Sequence, residues 1–169
     1  MRDLFFALTI FSLFSMPAMA TLVGKVNIQH VLVTIKQGKA VRDSLKKDFD
    51  SKQKTLKTEE EKIRKMQEGF EKQSLVMNEQ AKSKREREIQ DKIMQLQQQS
   101  MEFQKEIQEK EQTLKKPILE RIKEVVDEVS KDAGVDMTFE ISTAPIVYAK
   151  NHVDLTEKVI AKYDEKHKK

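Results

Sequence analysis

One long polar stretch restricts the fold of this chain more than any other feature. Residues 41–116 contain no Pro and a single Gly, and 35 of these 76 side chains are charged. Such a composition is typical either of disorder or of long solvated helices. Apolar residues at every seventh position decide between the two, and they are Phe49, Leu56, Ile63, Phe70 and Met77. A sustained heptad repeat predicts a helix that packs against another helix.

A second helical pattern follows the first in a different phase. Its positions are spaced alternately by four and three residues with two polar interruptions, and they are Ile89, Ile93, Leu96, Ser100, Phe103, Ile107, Lys110 and Leu114. The phase breaks between Met77 and Ile89, and a single straight helix would not need such a break. The break in phase therefore favours two helical segments.

The two patterns match when the chain folds back on itself near Asn78. The facing pairs would then be Ile63 with Ile93, Leu56 with Ser100, and Phe49 with Ile107. We predict an antiparallel hairpin over residues 41–116 with its tip near residues 75–83, each arm being about 37 residues or roughly 55 Å long. The predicted seam between the arms consists of Phe49, Leu56, Ile63, Phe70, Ile89, Ile93, Leu96, Phe103 and Ile107. The alternative is one continuous helix with a stutter in a parallel oligomer.

Short strands are predicted on both sides of the hairpin. Residues 22–28 are rich in β-branched side chains, and residues 135–141 alternate between apolar and polar with a period of two. After a predicted turn at residues 142–145, the apolar run at residues 146–149 indicates a further strand.

Helix signals also flank these strands. Pro117 is expected to kink or end the second arm, because its ring clashes with a helical carbonyl four residues earlier. An amphipathic helix continues beyond it to Gly134, a residue suited to the position after a helix C-terminus. Asp154, with Glu157 three residues later, resembles a capping box that opens a final helix.

These elements predict an α+β fold in which the coiled-coil hairpin projects from a small β-rich body. The body would consist of residues 21–40 and 117–169, and a core of about 70 residues is marginal by itself. We therefore expect oligomerisation through the sheet. The predicted oligomer core consists of Val26, Ile28, Val135, Met137, Phe139, Ile141 and Val147.

The first 20 residues have the pattern of a cleaved secretory signal. An apolar run over residues 4–14 precedes the small-residue site Ala18, Met19 and Ala20. The run is shorter than the roughly 20 residues that a membrane-spanning helix needs. The alternative is a buried N-terminal helix. We expect export, most simply to a bacterial periplasm.

Several classes of function are poorly supported by the composition. The chain has no Cys, three widely spaced His and four Gly, and neither common glycine-rich phosphate-binding motif occurs. Acidic runs such as residues 59–61 face several directions around a helix, so they do not form a carboxylate pair for acid–base catalysis. We expect no enzymatic activity, no metal, no cofactor and no nucleic-acid partner.

The order of these segments resembles the Skp/OmpH family of periplasmic chaperones. The residues that carry the resemblance are the first strand, Lys25 to Ile28, and the C-terminal segments, Ile146 to Ala149 and Asp154 to Ile160. The resemblance implies a homotrimer, with residues 21–40 and 117–169 as the trimerisation body and three hairpin arms around a cavity. It also implies ATP-independent holding of unfolded outer-membrane β-barrel proteins before membrane insertion.

Two sets of arm residues are candidates for contacts with partners. Met94 and Met101 fall off the seam, and their flexible thioethers suit contact with unfolded clients. The family also has a proposed lipopolysaccharide-binding basic cluster, and Gln99 and Glu109 stand where basic residues are expected there. The candidates for anionic lipid or lipopolysaccharide are Lys82, Lys84, Arg85, Arg87, Lys110 and Arg121. The other possible roles are a structural coiled-coil spacer of the cell envelope and a membrane-surface or lipopolysaccharide-binding protein.

Overall fold

A computed structural model describes residues 21–144 and 146–168 of the chain. In chain order, the elements are β1 (Val23–Val26), α1 (Ile28–Thr34), α2 (Lys36–Gln73), a 3-10 turn (Ser74–Val76), α3 (Glu79–Asp132), β2 (Met137–Glu140), β3 (His152–Asp154) and α4 (Thr156–Lys166). The predicted signal peptide lies outside the described residues. Within those residues, no helix combines the length and the apolar character that crossing a membrane requires.

The long helices α2 and α3 form the predicted antiparallel hairpin. α2 has 38 residues and α3 has 54, so α2 alone extends for about 57 Å. The ammonium group of Lys52 on α2 donates a hydrogen bond to Glu106 on α3, 54 residues later in the sequence. The chain therefore reverses at the 3-10 turn, and the alternative of one continuous helix is wrong.

Pro117 was expected either to kink or to end the second arm, and it does not end the helix. α3 continues through this exposed proline to Asp132. Four residues after it are almost completely buried in the body, and they are Ile118, Ile122, Val125 and Val129. Burial of each is worth about 1.5–3 kcal/mol, so the four together outweigh the roughly 3 kcal/mol cost of an internal proline.

The three strands form a small parallel sheet with β1 at its centre. β2 pairs with one side of β1 and β3 with the other, so that Val23 lies between Met137 and His152. The predicted strand at residues 146–149 is wrong. That segment is irregular in the described structure, and the third strand begins three residues later, at His152.

Helices supply most of the core of the body. α1, the end of α3 and α4 pack against the sheet through a cluster of buried residues, and its members include Val26, Val31, Ile35, Ile122, Leu155, Val159 and Tyr163. Gly24 of β1 lies so close to α4 and β2 that an added Cβ would be 2.6 Å from the hydroxyl of Thr138 and 2.9 Å from Leu155.

Small or polar residues lie at the ends of three helices. The side chain of Asn27 accepts a hydrogen bond from the backbone N–H of His30 at the start of α1. Gly134 follows the last residues of α3 with a φ of 61°, which confirms its predicted role after a helix C-terminus. α4 begins one residue later than predicted, at Thr156, because Leu155 occupies the N-cap position and Asp154 precedes it. The carboxylate of Asp154 still accepts a hydrogen bond from the N–H of Thr156 at 3.0 Å.

Candidate functional site

A narrow seam holds the two arms together. Ile63, Ile89 and Phe103 are 7–8% exposed, and the rings of Phe49 and Phe103 contact each other with their centroids 5.5 Å apart. The remaining predicted seam residues are half-buried, and they are Leu56, Phe70, Ile93, Leu96 and Ile107. Phe49 itself remains 43% exposed. The arms therefore cover only part of their apolar surface by packing on each other.

Two ion pairs cross the seam near the Phe49–Phe103 contact. Lys52 contacts Glu106 at 3.0 Å, and Lys110 contacts Asp48. All four side chains are between 40% and 59% exposed, so each pair contributes little to stability. The register expected from the sequence places Phe49 opposite Ile107. Both residues line the same groove, in agreement with that register.

The hairpin tip exposes two aliphatic side chains that sequence reasoning did not single out. Leu75 and Val76 lie in the 3-10 turn and are 91% and 88% exposed. α3 then begins after Asn78, whose side-chain oxygen accepts a hydrogen bond from the backbone N–H of Ala81 at 2.9 Å. The exposure of Leu75 and Val76 could have been predicted from the sequence, because both lie in the predicted tip and neither occupies a heptad position of the seam.

The six residues predicted to contact anionic lipid do not form one site. Lys82, Lys84, Arg85 and Arg87 lie together in the first turns of α3, and Arg121 lies about 58 Å further along the same helix from Lys82. Lys110 belongs to the inter-arm ion pair already described. The predicted cluster is therefore divided between the tip, the arm and the base.

Acidic neighbours also reduce the charge of the basic cluster near the tip. Lys82 pairs with Glu79 and Arg85 pairs with Glu88, each at 3.0 Å. Arg87 donates a hydrogen bond to the hydroxyl of Ser83. An anion would have to compete with these carboxylates, so the tip is a weaker site for anionic lipid than its basic residues alone suggest.

Arg121 takes part in an internal polar network at the base of the arms. The buried Tyr163 donates a hydrogen bond to the side-chain oxygen of Gln37 at 2.6 Å, and Arg121 donates to the same oxygen at 3.3 Å. Burial raises the pKa of Tyr163, while its hydrogen bond with Arg121 acts in the opposite direction. The network links α2, α3 and α4, which gives Arg121 a structural role.

An apolar groove of about 420 Å³ lies where the arms join the body. Its walls come from α1, α2 and α3, and its apolar lining includes Leu32, Val33, Val41, Leu45, Phe49, Ile107 and Ile118. Arg42, Lys46 and Lys115 add positive charge to the lining, although Lys115 pairs with Glu111. Within residues 21–144 and 146–168, no cluster of His, Asp and Glu could hold a metal ion.

The outer face of α3 carries the two methionines predicted to contact clients. Met94 and Met101 are 50% and 65% exposed and lie seven residues apart, so they share one face of the helix. This face points away from the seam, because Ile89 and Phe103 occupy the opposite side of α3.

The residues predicted to form an oligomer core divide into two groups. Val26 is buried, and Ile28 and Val135 pack against the chain's own core. In contrast, Met137 and Ile141 are 50% and 43% exposed, Val147 is fully exposed, and Phe139 is half-buried. Sequence patterning did not separate these groups, because alternation in a strand does not tell an internal contact from an intermolecular one.

A family model described as outer membrane protein (OmpH-like) matches residues 23–163, from β1 to the buried Tyr163 of α4. The chain belongs to the OmpH-like family. A search among curated proteins found no match.

The OmpH-like fold is also seen in a crystal structure from Caulobacter crescentus CB15, described as that of a candidate outer membrane chaperone (OmpH-like). The two chains are 17% identical and align with a TM-score of 0.74, over 98% of this chain and 93% of that one. At this identity the likeness shows the fold, namely long helices with a small β part.

Proposed function

We propose that this OmpH-like chain is a periplasmic holdase that binds unfolded outer-membrane β-barrel proteins and prevents their aggregation before membrane insertion. Membership of the family supports a chaperone role. The observation that carries the proposal is the paired rod of α2 and α3, which leaves Leu75, Val76, Met94 and Met101 at least half exposed. Unfolded β-barrel proteins expose alternating apolar side chains, and scattered flexible apolar residues can bind many such sequences.

A homotrimer is part of this proposal. The body of one chain leaves Met137, Ile141 and Val147 exposed beside a sheet of three short strands. Burial of these side chains against other copies would add to a small core and would hold three arms around a common cavity. Residues 21–40 and 117–169 would then form the trimerisation body, and residues 41–116 the arms.

Holding without ATP is consistent with the composition of the chain. The sequence lacks the glycine-rich loops that bind nucleotide phosphates. The proposed role requires only reversible contact and involves no catalysis. Location in the periplasm is supported by the family and by the signal-like first 20 residues.

Dilution of a urea-unfolded β-barrel protein into buffer that contains the purified chaperone but no nucleotide tests the proposal. We expect the client to stay in the supernatant after sedimentation, and we expect light scattering to give the mass of three copies for the chaperone alone. A stable oligomer that leaves the client in the pellet would refute the holdase role and favour a structural spacer of the envelope.

A further inference from the structure

One face of α3 lacks charged residues in an arm that is otherwise highly charged. Six exposed residues between positions 90 and 104 lie within about 120° of the helix circumference at 100° per residue. We call them the neutral strip, and they are Gln90, Met94, Gln97, Gln98, Met101 and Gln104. Arg87 and Lys105 limit the strip at its two ends, so it is about 21 Å long.

The neutral strip is not a general property of the arms. The corresponding outer face of α2, opposite Ile63, is exposed and carries a charge at each of six positions, namely Lys47, Lys54, Glu61, Lys65, Glu68 and Lys72. Met94, Gln98, Met101 and the six α2 residues are exposed and point away from the seam, whereas Gln90 also lines a groove between the arms with Phe70. Helix pairing therefore does not explain the lack of charge at the three outward α3 positions. The absence of charge on α3 therefore indicates a contact made by that face alone.

The chemistry of the neutral strip suits an extended, uncharged polypeptide. Met94 and Met101 offer flexible apolar contacts. The four glutamines present both donors and acceptors, which can pair with the N–H and C=O groups of a chain that has no secondary structure. Gln98 already uses one of its donors in a hydrogen bond to Glu102 at 2.8 Å. A charged side chain at these positions would lose its hydration when the client covered it, at a considerable cost.

We propose that extended segments of the unfolded client lie along the neutral strip of α3, whereas the outer face of α2 stays in contact with solvent. This inference rests on the proposed holdase function and assigns its contact surface. The client segment would alternate between apolar and polar side chains, as the strands of a β-barrel do.

A pair of charge insertions tests the strip. The variant Met94→Glu with Met101→Glu places two carboxylates on the neutral strip, and Glu has a helix propensity close to that of Met. The matched control is Ser51→Glu with Thr58→Glu, which adds the same charge at the same spacing to exposed positions of α2. A second variant, Met94→Gln with Met101→Gln, keeps the strip neutral and removes only the thioethers.

The readout is the dissociation constant for a fluorescently labelled, urea-diluted β-barrel protein, with helical circular dichroism and oligomer mass as checks on folding. We expect the Glu pair on α3 to weaken binding about tenfold or more, the Gln pair to weaken it less, and the α2 control to leave it unchanged. If both Glu pairs weakened binding equally, the effect would be one of net charge and the inference would be wrong.

Three further outcomes distinguish failure of the inference from failure of the proposed function. If the unaltered protein held the client and the Glu pair on α3 bound it equally well, the strip would be refuted while the holdase role survived. If the unaltered protein did not bind the client at all, both would fail. A change of oligomer mass in the α3 variant alone would show instead that the strip contacts a second copy of the chain, which also contradicts the inference.

Discussion

The contact between Phe49 and Phe103 provides a direct test of the hairpin and its register. The two rings lie on different arms with centroids 5.5 Å apart and planes tilted by 41°, which is a favourable geometry for an aromatic pair. We expect Phe103→Ala and Phe49→Ala each to destabilise the arm, and the double variant to cost less than the sum of the two.

The magnitudes follow from burial. Phe103 is 7% exposed, so its truncation is expected to cost about 3 kcal/mol. Phe49 is 43% exposed, and about half of that cost applies. The coupling free energy between the two rings should be about 0.5–1.5 kcal/mol, since each single variant already removes the aromatic contact.

Urea unfolding followed by helical circular dichroism measures these free energies. Protein concentration must be equal for all variants, because an oligomer is stabilised by mass action. The control cycle pairs Phe49 with Phe70, which lie on the same helix about 31 Å apart and should be additive to within about 0.5 kcal/mol. A Phe49–Phe103 coupling as small as that of the control would mean that the rings do not touch, and the register would be refuted.

Three further predictions concern the body. Gly24→Ala should cost about 1–3 kcal/mol, as the added methyl group overlaps two neighbouring side chains, and a lower urea midpoint would show it. Tyr163→Phe should cost about 1 kcal/mol in the same assay, since Gln37 loses one of two donors; an unchanged midpoint would argue against the network. Hydrogen bonds from the hydroxyl and then the N–H of Thr156 lower the pKa of Asp154. The contribution of the Asp154 carboxylate to stability should therefore be present above its unfolded pKa of about 3.9. It should be lost as the pH falls through the lower pKa of the folded state. Asp154→Asn should thus lower the melting temperature at neutral pH and have little effect in acid below that folded pKa, and a pH-independent difference would contradict the assignment.

The hairpin was predictable because its signal is local and repeated. Each heptad position adds to the same pattern, and the break in phase between Met77 and Ile89 marks the reversal of the chain. Pro117 was misleading for the opposite reason. A proline is a local signal for a helix end, but the burial of Ile118 and Ile122 in the body keeps α3 helical beyond it.

The third strand could not be predicted, since a strand depends on a partner elsewhere in the chain. Residues 146–149 have the more strand-like composition, yet the described structure leaves them irregular and pairs His152–Asp154 with β1. The contact of Gly24 with β2 and α4, which are far away in the sequence, likewise has no local signal.

Some properties of the candidate functional residues were also predictable from the sequence, whereas others depend on the fold. The positions of Met94 and Met101 off the seam were visible from helical periodicity, because periodicity alone determines which residues share a face. The pairing of Lys82 with Glu79, and of Lys110 with Asp48, changes how the basic residues are interpreted. Only the second pair crosses between the arms, so its existence depends on the fold.

The sequence by itself determined which faces of the arms are apolar, charged or neutral, and that the chain turns back on itself, because helical periodicity places those side chains without reference to distant residues. Only the tertiary structure decided which strands pair, which apolar residues of the body are covered and which charges are neutralised. Those properties depend on contacts between segments that are far apart in the chain.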